Sequence, residues 1–300
     1  MQGDLDVRWI HGSPRGTPDT DPHFQVHRYD PHTYVLRQSK ALTAEAPFLY
    51  LLFGSERAVL FDTGASKKAA EDNPLRQTVD ELVDGWLAEH PRESYELVVA
   101  HTHGHLDHVE GDEQFADRPA TTVVAREPEA VQEFFGFTAW PDQIVQFDLG
   151  GGRALEMTGT PGHHAATVTT YDPWSGFLLS ADNALPGRIY AFDFPTYLDS
   201  MERTVEFART REITHVMGCH IEMSRRPGRD YPVGCRYQPD ERPLQMTVEQ
   251  LVELRDAARS VKDEPGTHTF DDFVILNGPA RRYMVPLLAR ALWGKVRPPG

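Results

Sequence analysis

Four histidines and an aspartate occur within eight residues, in the segment HTHGHLDH at positions 101–108. Imidazole is the commonest protein ligand for divalent transition metals, and a carboxylate suits a second, harder coordination position. The segment follows the apolar run LVVA at residues 97–100, which is typical of a buried strand. The pattern therefore predicts a metal site on a loop at the end of a strand.

This segment can divide its ligands between two ions, with His103 and His105 facing one ion and Asp107 and His108 facing a neighbouring one. Spacing alone leaves that division open. Other ligand-type residues follow apolar runs later in the chain: His163 in Thr-Pro-Gly-His, Asp182 in Ser-Ala-Asp and His220 in Gly-Cys-His. We interpret the remaining residues of ligand type near these motifs as packing or supporting residues, namely His101, His164, His215 and Cys219.

Short apolar runs separated by polar turns predict an α/β fold that positions these residues. Runs rich in β-forming residues occupy positions 34–36, 48–53, 58–61 and 97–100, and later 121–125, 144–147, 166–171 and 176–180. An amphipathic helix is predicted after the third run, with Asn73 as its cap and Pro74 in its first turn. Catalytic groups in such folds commonly lie on loops that follow strands.

The composition divides the chain into three parts. Residues 1–32 are rich in Pro, Asp, Gly and His, so we expect an irregular N-terminal arm. Residues 33–220 form the predicted catalytic core. Residues 221–300 are predicted to complete the same domain with a substrate loop, a helix from Thr247 whose capping box is completed by Gln250, a strand at 270–276 and a last helix over 281–293.

Composition also limits the class of protein. The chain has 300 residues, of which 40% are hydrophobic, so it can bury a sizeable core. Its formal net charge of -15 argues against a nucleic-acid partner. The sequence shows neither a membrane span nor a signal peptide, and its two cysteines suit a reducing compartment, so we expect a cytoplasmic protein with no membrane partner. A small-molecule substrate is expected, and a homodimer is left open.

Taken in order, five motifs resemble those of the metallo-β-lactamase superfamily of metallohydrolases. They are Asp62-Thr63-Gly64, the cluster at 103–108, the turn ending at His163, Ser-Ala-Asp182 and the late His220. The resemblance covers residues 34–220. It implies a four-layer αβ/βα sandwich, in which two mixed β-sheets pack face to face, helices cover the outer faces and the metals lie at one edge.

The resemblance also implies a role for each of these residues. Seven would bind two divalent ions: His103, His105 and His163 the first, Asp107, His108 and His220 the second, and Asp182 both. Asp62 would support a ligating histidine from behind. A hydroxide bridging the ions would cleave a small ester, thioester or lactone, with Asp107 or Asp182 transferring the proton. We expect zinc, with iron or manganese as alternatives.

Two positions depart from the family pattern without removing a ligand: Ala181 and Glu110 stand where glycine is usual or frequent. True β-lactamases of the superfamily are exported, and most carry a cysteine where Asp182 stands here. The chain therefore looks more like the intracellular branch of glyoxalase II-type thioesterases and lactonases. Some lactonases of the superfamily place a tyrosine over the metals, which makes Tyr190 a candidate hydrogen-bond donor to the substrate, with Tyr197 as its competitor.

Residues 221–244 directly follow His220 and would fold over the metals. Within them, Arg225, Arg226 and Tyr231 are candidates for binding an anionic or aromatic substrate. Three other functions are weighed against the hydrolase: a mononuclear iron dioxygenase acting on sulfur compounds such as persulfides, a nuclease, and a scaffold without activity. The complete second ligand set argues weakly against the dioxygenase, the acidic balance argues against the nuclease, and the full set of seven ligands argues against the scaffold.

Overall fold

The computed structural model describes residues 3–66 and 72–278, together with the single positions 285 and 289. In this part of the chain two sheets of six strands each pack with helices, and a third sheet has three strands. The last helix predicted over residues 281–293 lies outside the described residues, apart from those two positions. None of the helices in the described ranges combines the length and the apolar character needed to span a bilayer.

The first sheet has the strand order β1-β2-β3-β4-β5-β6. Its strands are β1 (Phe24–Asp30), β2 (Thr33–Gln38), β3 (Phe48–Phe53), β4 (Arg57–Phe61), β5 (Glu96–Ala100) and β6 (Thr121–Val123). Helix α1 (Leu75–Glu89) joins β4 to β5, which pair in parallel with Phe61 opposite Ala100. The two strands therefore end at the same edge, where Asp62 and His101 begin the next loops.

Two local predictions were wrong at the N-terminal side of this sheet. The segment Phe24–Asp30, within the predicted irregular arm, forms β1 and pairs antiparallel with β2. A strand of this kind is stabilised by pairing with its neighbour, which the Pro- and His-rich composition around it does not show. Pro74, not Asn73, is the N-cap residue of α1. The Asn73 side chain is buried and donates to the Ser66 carbonyl at 3.1 Å.

The second sheet has the order β13-β12-β10-β9-β8-β7. Its strands are β7 (Ile144–Asp148), β8 (Ala154–Gly159), β9 (Val168–Asp172), β10 (Phe177–Ala181), β12 (His215–Gly218) and β13 (Gln245–Met246). β9 pairs antiparallel with both β8 and β10, and β10 pairs in parallel with β12. The strands β8, β10 and β12 therefore end at one edge and deliver the loops that carry His163, Asp182 and His220.

The third sheet, of order β11-β15-β14, lies beyond these strands in the chain: β11 (Arg188–Ala191), β14 (Gly266–Thr269) and β15 (Val274–Asn277). The remaining helices are α2 (Leu106–Val109), α3 (Pro128–Phe135), α4 (Phe194–Arg209) and α5 (Val248–Ser260). α5 begins with the predicted capping box, in which the Thr247 side chain accepts from the Gln250 backbone and the Gln250 side chain accepts from the Thr247 backbone. Helix α4 was not predicted.

Apolar side chains form a layer between the two large sheets and one on the outer face of each. The inner layer joins Val35, Tyr50 and Val98 of the first sheet to Met157, Leu179 and Met217 of the second. On one outer face α1 packs against the first sheet, and on the other α4 and α5 pack against the second. The order helix, sheet, sheet, helix confirms the predicted four-layer αβ/βα sandwich.

Candidate metal centre

The seven predicted ligands meet where loops leave the ends of β5, β8, β10 and β12. Short segments at strand ends place side chains accurately because the last residues of the strands behind them are buried. In space the ligands form two groups whose ligand-type atoms lie within 4.8 Å of one another: His103, His105 and His163, and Asp107, His108, Asp182 and His220. The structure therefore brings together residues separated by more than a hundred positions in the sequence.

The first group consists of three imidazoles whose ring nitrogens converge. His105 Nδ1 lies 3.0 Å from His103 Nε2 and 2.9 Å from His163 Nε2. Ligand nitrogens around a tetrahedral zinc ion, at about 2.0–2.1 Å from the metal, are roughly 3.3 Å apart. The spacing of these three ring nitrogens therefore fits the coordination of a single metal ion.

The second group mixes nitrogen and oxygen ligands. His108 Nε2 lies 3.3 Å from His220 Nε2. Asp107 Oδ2 lies 3.5 Å from the same His220 nitrogen and 3.7 Å from that of His108. The spacing again suits one ion, and the carboxylate adds a negative charge that the first group lacks.

Asp182 lies between the two groups. Its Oδ2 is 3.6 Å from Nε2 of both His163 and His220, and 3.7 and 3.9 Å from those of His108 and His103. Its other oxygen, Oδ1, is buried without a hydrogen-bond partner in the described structure. A buried, unpaired carboxylate oxygen costs free energy unless a cation compensates it. The donor set therefore fits two neighbouring divalent ions with Asp182 between them.

Oxygen atoms behind the cluster fix which ring nitrogen three of the histidines present. His108 Nδ1 donates to Asp62 Oδ2 at 2.8 Å, His163 Nδ1 donates to the Tyr190 carbonyl at 2.9 Å, and His220 Nδ1 donates to the Glu45 carbonyl at 3.2 Å. Each of these rings is left with Nε2 as the atom that can bind a metal. Asp62, which was predicted to support a ligand in this way, is thus in contact with His108.

Charge and burial act in opposite directions on the ligands. Burial lowers the pKa of His103 well below its usual value, so this imidazole is neutral at pH 7, as a metal ligand must be. Burial also acts to lower the pKa of His108, but Asp62, Asp107 and Asp182 together raise it well above its usual value. The carboxylates around His108 therefore create a site that favours positive charge.

The two departures from the family pattern have a local explanation. Ala181 has a φ of 52°, in the left-handed region that favours glycine, so the usual glycine would relieve strain there. Glu110 is the C-cap of α2 with a φ of -68°, an ordinary right-handed conformation that any residue adopts. Alanine at position 181 thus has a small cost in conformational free energy, and glutamate at position 110 has none.

The residues predicted to pack around the motifs have contacts of that kind. His101 Nε2 lies 2.9 Å from Asp112 Oδ1, and His164 Nδ1 accepts from the Ala166 backbone at 3.1 Å. His215 packs its ring on Tyr29 and Phe177. Burial, together with the nearby Asp62 carboxylate, raises the pKa of Cys219 to about 12, so its thiol stays protonated and faces Asp62 Oδ2 at 3.6 Å.

The tyrosine candidates differ in their surroundings. Tyr197 is fully buried, and its hydroxyl donates to the Asn183 carbonyl at 2.9 Å. The Tyr190 hydroxyl instead accepts from Arg188 Nε at 3.3 Å, and burial raises its pKa to about 12. Tyr190 therefore keeps its proton at neutral pH and can donate it in a hydrogen bond, while its carbonyl holds His163.

The three predicted substrate residues make no hydrogen bond or ring contact with the seven candidate ligands in the described structure. Arg225 and Arg226 are exposed. Arg225 lines a separate groove of about 340 Å³, whose other walls include Trp9 and Gln238 but none of the ligands. The Tyr231 hydroxyl accepts from the Asp240 backbone at 2.9 Å, within its own loop. Arg225 and Arg226 are thus exposed residues of this loop, whereas others such as Arg236 fasten it to the rest of the domain.

Two residues at the cluster were missed by sequence reasoning. Glu45 acts through its backbone carbonyl, which no residue type reveals. Phe192 is 56% exposed, and its ring centroid lies 5.9 Å from that of His105 and 5.8 Å from that of His163. Phe192 lies just beyond the end of β11, in the bend before α4, so no periodic pattern in the sequence signalled it.

Comparisons with known proteins agree with the geometry. The family model of the metallo-β-lactamase superfamily matches residues 42–259, which is more than half of the chain. Among curated proteins no sequence matches significantly.

Solved structures show the same fold. TMB-1 is similar with a TM-score of 0.51 and 16% identity, covering 81% of this chain and 100% of that one. The stereoselective inverting sec-alkylsulfatase Pisa1 from Pseudomonas sp. gives 0.50 at 15% identity, covering 81% of this chain and 42% of the sulfatase. A double mutant of the same sulfatase gives 0.52 at 13% identity, with 88% and 50% covered.

The chain spans half or less of the sulfatase's length, and at these identities the likeness concerns the fold alone. The family model, the sandwich and the His/Asp cluster nevertheless agree with one another. The chain belongs to the metallo-β-lactamase superfamily, whose members are mostly metal-dependent hydrolases.

Proposed function

We propose that the protein is a hydrolase with two divalent ions, zinc in the first instance, that cleaves a small ester, thioester or lactone. The observation that carries the proposal is the position of Asp182 Oδ2, at 3.6–3.9 Å from histidine nitrogens of both ligand groups. A carboxylate so placed serves two neighbouring ions at once. When bound, such a pair of ions lowers the pKa of water to about 7 and polarises the scissile carbonyl.

Two carboxylates of the chain have different roles in the proposed reaction. The Asp182 side chain is 11% exposed, so it is suited to holding position between the two groups. The Asp107 side chain is 29% exposed, so water and substrate can reach it. We assign to Asp107 the transfer of a proton from the attacking water to the leaving group, through the carboxylate oxygen that does not face the histidine nitrogens, with Asp182 as the alternative.

Tyr190 supplies a neutral hydrogen-bond donor in this proposal. Its hydroxyl is held as an acceptor by Arg188, which leaves the phenolic proton free to bind a carbonyl oxygen. Its carbonyl also fixes His163, so the residue connects the substrate wall to the first ligand group.

The finer assignments belong to the same proposal. The presence of Asp182 where most superfamily β-lactamases carry cysteine supports an esterase, thioesterase or lactonase of the glyoxalase II-like branch. The acidic balance supports a small-molecule substrate over a nucleic acid. A cytoplasmic location and a homodimer remain predictions.

The mononuclear iron dioxygenase is the main competing function. It needs the first ligand group only, whereas the second group here is complete and its two histidines are both held from behind by protein oxygens. Orienting contacts of that kind favour a second occupied metal position.

Elemental analysis of the protein purified without added metal tests the proposal. We expect about two zinc or manganese ions per chain, and about one in each of the variants His163→Ala and His220→Ala. Ester hydrolysis should fall by more than about 100-fold in both, because removing a ligand costs more than removing its support. The exposed His23 provides the control His23→Ala, which should keep both ions and full activity. A single iron per chain, with oxygen consumed in the presence of a persulfide, would contradict the proposal.

A further inference from the structure

One side of the metal cluster is apolar and exposed. Phe192, whose ring lies against His105 and His163, is 56% exposed, and Leu106, which lies between His105 and Asp107 in the sequence, is 54% exposed. Single exposed apolar residues are common on protein surfaces. Packing does not explain two large exposed apolar side chains beside a predicted catalytic cluster. Their exposed surface is available to a ligand.

The position of Phe192 is built into the fold. In β11 the residues Ile189 and Ala191 face the core and are fully buried, so Arg188 and Tyr190 project from the other face, and Phe192 follows directly after the end of the strand. The rings of Tyr190 and Phe192 lie nearly parallel, at 17° and 6.3 Å between centroids. Behind Tyr190 pack Met223, Val274 and Leu276.

The backbone after Phe192 is also fixed. Asp193 caps helix α4 by accepting from the Thr196 backbone at 3.3 Å. Its own N–H donates to the Gly162 carbonyl at 3.0 Å, next to the ligand His163. Phe192 is thus held between a strand end and a helix cap, so its ring is a defined wall of the cluster.

Charged groups near the cluster do not favour an anionic substrate. Glu45, which orients His220 through its backbone carbonyl, is an exposed glutamate beside the second ligand group. Arg188 is occupied by ion pairs with Glu222 and Asp230. On the other flank Arg126 faces Glu127 at 3.8 Å. An added carboxylate would therefore meet carboxylates or arginines that are already paired.

The proposed proton transfer decides which part of the substrate meets Phe192. Asp107 would protonate the leaving group and belongs to the second ligand group, with His108 and His220. The acyl group then extends the other way, towards His105 and His163, where the ring of Phe192 lies.

We propose that Phe192, assisted by Leu106, forms the binding surface for an uncharged, hydrophobic acyl group, so that the substrates are esters or thioesters of apolar acids. This inference rests on the proposed hydrolase function and narrows its substrate class. Each methylene that such a surface removes from water should raise kcat/KM by about fourfold.

The test uses the zinc-loaded protein and p-nitrophenyl esters of acetic, butanoic, hexanoic and octanoic acids. We expect kcat/KM to rise along this series. Phe192→Ala should lower it by at least about tenfold for the hexanoate and by less than about twofold for the acetate. Leu106→Ser should have a smaller effect in the same sense. Phe134, which is 37% exposed on α3, gives the matched control Phe134→Ala, with no change expected.

A second measurement separates this inference from the hydrolase function. Calorimetric binding of the free acids from acetate to octanoate needs no turnover, and their affinity should rise with chain length in the wild type but not in Phe192→Ala. If no ester is cleaved while this binding pattern is found, the hydrolase proposal fails and the apolar surface stands. The inference would be overturned if Phe192→Ala lowered kcat/KM equally for all esters, or if neither kcat/KM nor binding affinity depended on chain length. A preference for a succinate monoester would also overturn it.

Discussion

Three of the five candidate histidine ligands, drawn from both groups, turn Nε2 towards the cluster because a protein oxygen holds Nδ1. His163 and His220 are held by backbone carbonyls, whereas His108 is held by the carboxylate of Asp62. Asp62 also accepts from the Thr102 backbone at 2.7 Å and hydroxyl at 2.8 Å. It therefore fixes the start of the ligand-bearing loop and one ligand at the same time.

Replacing Asp62 by asparagine should weaken the second metal position selectively. Asn removes the negative charge behind His108 but tolerates the φ of 71° found at this residue. We expect the affinity for the second ion to fall about 10–100-fold, with little change in the first. Zinc titration against a competing chelator measures both affinities.

The control for this prediction is Asp142→Asn, which removes the same charge at an exposed position far along the chain from the motifs. If Asp62→Asn bound each ion with the same affinity as the wild type, the carboxylate behind His108 would have no part in metal binding.

Among the structural elements, the loop at residues 221–244, which we call the strap, is fastened by buried ion pairs. Arg188 of β11 pairs with Glu222 and with Asp230 at 3.0 Å. Arg37 of β2 is fully buried and pairs with Glu241. The strap's Arg236 donates in turn to the carbonyls of Lys40 and Ala41. The strap is therefore a fixed part of the domain.

Arg188→Ala should destabilise the protein strongly, by about 3–5 kcal/mol in the free energy of unfolding. It would leave the carboxylates of Glu222 and Asp230, with side chains 14% and 8% exposed, without their cation. It would also free the Tyr190 hydroxyl from Arg188. Urea unfolding of the zinc-loaded protein measures the loss, and limited proteolysis should then cut first within the strap.

The matched control is Arg225→Ala in the strap itself, because that side chain is exposed and should change stability by no more than about 0.5 kcal/mol. A loss in Arg188→Ala no larger than in this control would mean that the strap is held by other contacts. A raised KM in Arg225→Ala would return this residue to the substrate site.

Across the whole molecule, the metal cluster connects the two large sheets. The loop after β5 belongs to the first sheet, whereas those after β8, β10 and β12 belong to the second. Asp182 of the second sheet lies within 4 Å of His103 and His108 from the first. Ions bound here would hold the edges of both sheets together, in addition to the apolar layer between them.

Removing the metal should therefore lower the melting temperature of the whole domain. At a free zinc concentration about a thousand times the Kd, each ion contributes about 4 kcal/mol to folding stability. For a chain of 300 residues, 4 kcal/mol corresponds to about 6 °C in Tm, so two ions should contribute about 13 °C. Calorimetry before and after dialysis against a chelator measures the shift, and restoring zinc should reverse it. A Tm that is the same with and without metal would contradict a native-state site.

The sequence by itself predicted the candidate ligands and the apolar runs that precede them. The ligands of the 103–108 cluster are close along the chain, and His163, Asp182 and His220 each follow an apolar run, so both signals are local. Alternation, turn residues and the capping box at Thr247 are local as well, which is why β3, β4, β5, β10 and α5 were predicted close to their observed bounds.

Only the tertiary structure decided how these parts support and surround the site. The carbonyl of Glu45 reaches His220 across 175 positions, and every residue has such a carbonyl, so no side chain signals it. The strand β1 depends on its partner β2, and the exposed position of Arg225 depends on ion pairs made by its neighbours. The exposure of Phe192 depends on the bend between the end of β11 and the start of α4. Each of these depends on contacts between residues distant in sequence, which neither spacing nor composition records.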